Sequence, residues 1–166
     1  MLGVRADRDA AFYGALARSF AARHATWWIA ATGEAAVATS CAVVADLPVV
    51  GVVVGLRRGA VRLRWTVTAT PRVRAAPSVG FYVSAAHRRP LDEQAASLAE
   101  LLAAFRSVRL SACGSAIDAA FRLAAGLRVV DVSVRRETST IPHAQPQLFV
   151  NVVVTRGSNS IPRRER

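Results

Sequence analysis

The chain has 166 residues, 52% of them hydrophobic, and a formal net charge of +11 from 22 basic and 11 acidic side chains. That apolar content builds a core and excludes a disordered chain, and the length suits one ordinary domain or two small ones. Every basic residue is arginine, and a domain this basic attracts polyanions, which guanidinium forks grip through two hydrogen bonds per phosphate. The absence of lysine itself is read as a coding bias. Solubility or an acidic protein partner is the alternative use of the charge.

In chain order, Met1 to Arg5 is a short apolar start. Asp7 or Asp9 then caps a predicted helix of about fifteen residues with Phe12, Leu16 and Phe20 on its apolar face. Thr26 to Ala31 reads as a strand, Thr32-Gly33 as a turn, and Glu34 to Asp46 as a helix stopped by Pro48. Val49 to Leu56 is a strand, Arg57 to Ala60 a tight hairpin turn, and Val61 to Thr70 a strand with alternating Arg62 and Arg64. Pro71 to Ser78 reads as a linker.

A second pass of the same elements follows. Val79 to Ser84 is a strand and Ala85 to Pro90 a basic turn. Leu91 to Phe105 is an amphipathic helix with Leu91, Ala95, Leu98, Leu102 and Phe105 at helical spacing. Val108 to Ala112 is a strand, Cys113-Gly114-Ser115 a turn, and Ala116 to Ala125 a helix closed by Gly126. Leu127 to Arg136 and Leu148 to Thr155 are strands joined by a long polar loop, and the tail from Arg156 is basic.

The two passes are an internal repeat. Trp27 to Val54 overlays Val108 to Arg135 without a gap, glycine falling on glycine at Gly33 and Gly114. The expected fold is therefore α/β in the α+β sense: tandem β-α-β-α-β-β units, each a mixed four-stranded sheet with two helices on one face. The boundaries are residues 1–72 for a first unit, 73–78 for a linker, 79–156 for a second unit and 157–166 for a basic disordered tail. The repeat also disposes of two other readings. Ala35 to Leu56 is long and apolar enough for a membrane span, but its partner stretch carries Asp118, Arg122, Arg128 and Asp131. Residues 1–25 have a transit-like composition, but they supply the first helix of a unit.

The second unit resembles the Alba superfamily of nucleic-acid-binding proteins. The resemblance rests on the strand order, the basic Arg88-Arg89-Pro90 turn, and VRLSACGSAIDAAF, in which Ala112, Gly114, Ala116 and Ile117 match the family's strand-to-helix pattern. Cys113 stands where a basic residue is usual, and Ala119 or Ala120 where a lysine often lies. The first unit is the more divergent: Gly33 and Ala35 match, while Glu34 does not.

The resemblance implies an Alba-like fold, of the kind also seen in the C-terminal domain of initiation factor three. It implies binding of RNA, or of DNA, through Arg88 and Arg89, Gly114 and Ser115 at a helix start, and Arg135, Arg136 and His143 of a hairpin. Arg57 and Arg58 are the counterparts on the first hairpin. Because members pair, it also implies that the two units form an internal pseudo-dimer. The alternative is a structural, RNA-contacting subunit of a large ribonucleoprotein with other protein subunits, such as an organellar ribosome or a ribonuclease P-like particle. Compartments compatible with these readings are the cytoplasm, nucleus and mitochondrion, without a membrane.

No catalytic set assembles from the sequence: there is no carboxylate pair, Ser-His-Asp set or phosphate loop with lysine. Cys113 beside a helix start is a candidate reactive thiol without a placed base. His24, His87 and His143 lie apart and neither cysteine has a metal-spaced mate, so no metal or cofactor is expected.

Overall fold

The computed structural model describes residues 1–69, 78–138, 142 and 146–157. Among the described residues, eight strands and four α-helices form two four-stranded mixed sheets with helices, an α+β fold. The first half contains β1 (Leu2–Val4), α1 (Ala10–Ala21), β2 (Thr26–Thr32), α2 (Glu34–Val44), β3 (Val49–Arg57) and β4 (Ala60–Thr68). The second contains β5 (Val79–Tyr82), α3 (Leu91–Ala104), β6 (Val108–Cys113), α4 (Ile117–Ala124, after a 3-10 turn at Gly114–Ala116), β7 (Arg128–Glu137) and β8 (Gln147–Thr155). Sheet orders are β1-β2-β4-β3 and β5-β6-β8-β7, so the halves share one topology. In each, the first pair is parallel and the others antiparallel.

The strands form because β-branched residues alternate with polar or small ones, so each sheet buries one face. Ile29, Leu63 and Trp65 line the inner face of the first sheet, and Leu110, Val150 and Val152 that of the second. No helix of the described residues is long and apolar enough to cross a membrane: Ala35 to Leu56 is divided among the eleven-residue helix Glu34–Val44, a proline turn and a strand.

The overlay of the halves needs one gap. Gly33 and Gly114 both take positive φ at the start of their helices, which fixes the register there. Each third strand carries a bulge, between Val49 and Gly51 and between Val129 and Asp131. Between these landmarks the first half has one residue more, in the turn from helix to strand. A one-residue slip moves a strand's side chains to the opposite face. The structural partner of Arg136 is therefore Leu56, whereas the gapless overlay aligns it with Gly55.

Two predicted helix faces are also corrected. Helix α1 is capped by Asp9, whose carboxylate accepts from the Phe12 amide at 2.9 Å, and it spans twelve residues rather than about fifteen. It buries Tyr13 and Ala17 and leaves Phe12 and Leu16 exposed. The Tyr13 hydroxyl donates to Asp7 at 2.9 Å and accepts from the Arg5 amide at 3.0 Å, which turns the ring inward. In α3, Leu98 and Leu102 are buried as expected, but Ala95 and Phe105 face solvent and Gln94 is fully buried instead.

The halves meet through like elements, α2 against α4 and edge strand β3 against β7. At the centre the Trp65 and Phe121 rings, both fully buried, lie edge to face with centroids 5.7 Å apart. The Trp65 indole donates to the Ser40 hydroxyl at 3.0 Å, and Ser40 donates to the Val37 carbonyl at 2.8 Å. Two arginines of the second half complete the seam. Arg122 donates to the Gly59 carbonyl at 2.7 Å, and Arg136 donates to Asp46 and to the Ala42 carbonyl. Counting from the paired glycines, Phe121 and Arg122 stand where the first half has Ser40 and Cys41. Phe121 thus meets the Trp65 ring across the seam, and the two arginines meet carbonyls and the Asp46 carboxylate of the first half.

Cys41 lies in that core, and burial pushes its thiol from the ordinary 9.0 up to about 12, against a small lowering by the Ser40 hydrogen bond. A raised folded-state value means the neutral thiol is the form that folds. The associated stability is present below pH 9 and is lost as pH rises toward 12. The urea midpoint is expected to fall steeply across that window, and Cys41→Ala to flatten the fall. Identical alkaline profiles for the two proteins would refute the assignment.

Candidate nucleic-acid interface

Parallel β5 and β6 end at the same edge of the second sheet, where antiparallel β7 finishes and β8 begins. The topology therefore gathers the Arg88-Arg89 turn, the Gly114–Ala116 turn and the last residues of β7 at one end. Arg88, Gly114 and Ser115 line a common cleft of about 340 Å³, together with Tyr82, Cys113 and Gln147. Gly114 reaches φ 54°, a left-handed conformation that lets the chain turn from strand into helix without a Cβ penalty. The following turns present amides that precede α4, the end of a helix that favours anions.

The basic turn is held from below. Buried Gln94 accepts from the Ser84 amide at 2.9 Å through Oε1, and its Nε2 donates to the carbonyls of Ser84 at 2.9 Å and Arg89 at 3.0 Å. One side-chain amide thus closes the loop as a strand partner would. The sequence gives no sign of it, because a glutamine on an apolar helix face is buried only when backbone groups are there to satisfy it.

The nine residues implied by the resemblance differ in their freedom. Arg88 is exposed and has no ion pair among the described residues. Arg89 donates to the Ser97 hydroxyl at 2.8 Å and lies 3.9 Å from Glu93, so it fastens the turn to α3. Arg135 is exposed, 2.7 Å from Glu137, with its guanidinium 5.5 Å over the Phe149 ring. Arg136, on the opposite strand face, is turned into the seam against α2, away from the second hairpin's solvent side. Arg57 and Arg58 are exposed at a two-residue hairpin turn, where Arg58 and Gly59 both take positive φ. His143 lies outside the described residues, as do most of the predicted linker and tail.

Between the two helix starts the surface is acidic. A recess of about 260 Å³ is lined by Glu34 of α2 and by Gly114, Ser115 and Asp118 of the second half. Asp118 pairs with Arg122 at 2.6 Å. Gly114 and Ser115 thus stand between this acidic recess and the Arg88 cleft.

Tyr82, missed from the sequence, holds its hydroxyl 3.4 Å from the Cys113 sulfur. That contact, then the charge Cys113 would carry, then slight desolvation, raise the phenol above its ordinary 10.0. Among the described residues, no three His, Cys, Asp or Glu side chains come together to hold a metal ion. Compared with protein-family models, with curated proteins and with solved structures, the chain matches none.

Proposed function

We propose that the chain is a non-catalytic nucleic-acid-binding protein of Alba-like tandem units, with RNA as the favoured ligand, and that the two halves act as an internal pseudo-dimer. One observation carries the reading: unpaired Arg88 and the Gly114-Ser115 turn line one cleft at a single sheet end, the end toward which β7 carries Arg135. Phosphate oxygens match that set, because guanidinium and backbone amides both donate and neither carries sequence information. Reciprocal contacts of α2 with α4 and of β3 with β7 support the pseudo-dimer.

Binding should weaken steeply with salt as counterions are released. Arg88→Glu is expected to weaken RNA and DNA by roughly tenfold and to lower the salt slope by about one. Titration of labelled oligonucleotides over a salt series reads both quantities. Absence of binding by the unaltered chain at low salt would exclude the function.

A second reading, a subunit that meets protein as well as RNA, is favoured by a different feature. A groove of about 540 Å³ between α3 and α4 is floored by Leu91, Leu98, Leu102, Leu123 and Leu127 and edged by Leu56 of the first half. Its counterpart between α1 and α2 is lined by Ala10, Gly14, Ala17 and Ala42 with Arg18, Asp46 and Arg136. The groove between α3 and α4 has six lining leucines, whereas the one between α1 and α2 has Leu47 alone. Pull-down at high salt, where RNA contacts are screened, tests it: loss of every partner would reject this reading.

A further inference from the structure

We infer that the open face of the second sheet is a stacking surface for the unpaired bases of single-stranded RNA; this rests on the phosphate-binding reading above. The inner face of that sheet is covered by α3 and α4, while alternate residues point the other way, where no helix of the described residues lies. One row of outward side chains crosses all four strands: Tyr82, Cys113, Phe149 and Arg135. The Tyr82 hydroxyl touches Cys113 at 3.4 Å, and Cys113 stands directly opposite Phe149 in the ladder. Phe149 in turn stands opposite Arg135, whose guanidinium lies over its ring.

Packing does not account for this row. Tyr82 is 66% exposed on an edge strand, and among the described residues its hydroxyl meets only the Cys113 thiol, so the fold gains little from its ring. A planar, exposed ring in a row with an arginine-capped ring is what a nucleobase can use, through stacking and cation–π contact. Tyr82 and Cys113 also form a wall of the Arg88 cleft, so the ring surface continues into the phosphate site. A strand whose phosphate sits by Arg88 can lay its next bases along the row. Duplex RNA cannot, because its bases are stacked inside the helix. An acidic protein segment would use the arginines without gaining from the rings.

The test uses the full chain and two probes of about ten nucleotides, the scale of one such binding site. One is a labelled single-stranded oligouridine and the other a blunt RNA duplex. Tyr82→Ala is expected to weaken the single strand by about five- to a hundredfold, the range for losing one stacked base. Duplex affinity and the salt slope should stay unchanged. Tyr82→Phe, which keeps the ring and loses the hydroxyl, should bind like the unaltered chain. Unchanged oligouridine binding by Tyr82→Ala, or equal losses on both probes, would overturn the stacking surface. If Arg88→Glu still weakens both probes in that case, the phosphate reading stands without it. If the unaltered chain binds neither probe, both readings fall together.

Discussion

Trp65→Ala is expected to cost about 3–5 kcal/mol, the usual range for emptying a large aromatic site. Set against a typical total of about 5–15 kcal/mol, that leaves a marginal protein. The indole is fully buried and joins both halves, bonded to Ser40 on one side and packed on Phe121 on the other. Its removal leaves little polar penalty, since Ser40 keeps its bond to the Val37 carbonyl. The loss is one of contact and of apolar burial, shared across the seam. Urea unfolding followed by circular dichroism should shift as one transition, with both halves destabilised. Two separated transitions, or a shift worth less than about 1 kcal/mol, would show that the halves do not lean on this pair. A cycle with Phe121→Ala should return a coupling of about 0.5–1.5 kcal/mol for the ring contact.

Gln94→Leu is expected to cost about 2–4 kcal/mol and, separately, to weaken RNA binding. Leucine fits the apolar face of α3 but leaves the Ser84 amide and the Ser84 and Arg89 carbonyls without their side-chain partner. Each stranded buried group costs about 1–3 kcal/mol, offset in part by the added apolar burial and by loop relaxation. The loop that relaxes is the one bearing Arg88. Affinity should therefore fall with the protein still folded, at a temperature well below its transition. A folded Gln94→Leu protein with unaltered RNA affinity would show that the turn needs no such brace.

The repeat made most of the fold legible. Strands read clearly because β-branched runs alternate, and the glycines at 33, 59, 114 and 126 mark the turns with positive φ. Helix faces read less well in alanine-rich segments. In α1 the stripes through Phe12 and through Tyr13 are both apolar, and the choice between them is made by the Tyr13 hydroxyl, which donates to Asp7 and accepts from the Arg5 amide. Those partners lie outside the helix, so helical periodicity does not register them. Gln94 was invisible for a related reason: its burial is decided by carbonyls in another segment. Among the arginines, 135 and 136 are neighbours in sequence, but strand alternation sends one to solvent and the other into the seam. The gathering of Arg88 with Gly114 and Ser115 follows from the parallel pairing of β5 and β6, a long-range contact that no local pattern in the sequence registers.

Both faces of the seam are carried by one chain, and this changes the arithmetic of assembly. Two separate polypeptides meeting through Trp65 and Phe121 would part on dilution below their dissociation constant. Tethered halves face each other at an effective concentration of the order of millimolar, whatever the amount of protein present. The composite surface is therefore as complete at one molecule per compartment as at high abundance. Stoichiometry is fixed at synthesis, and each half is free to lose what the other supplies.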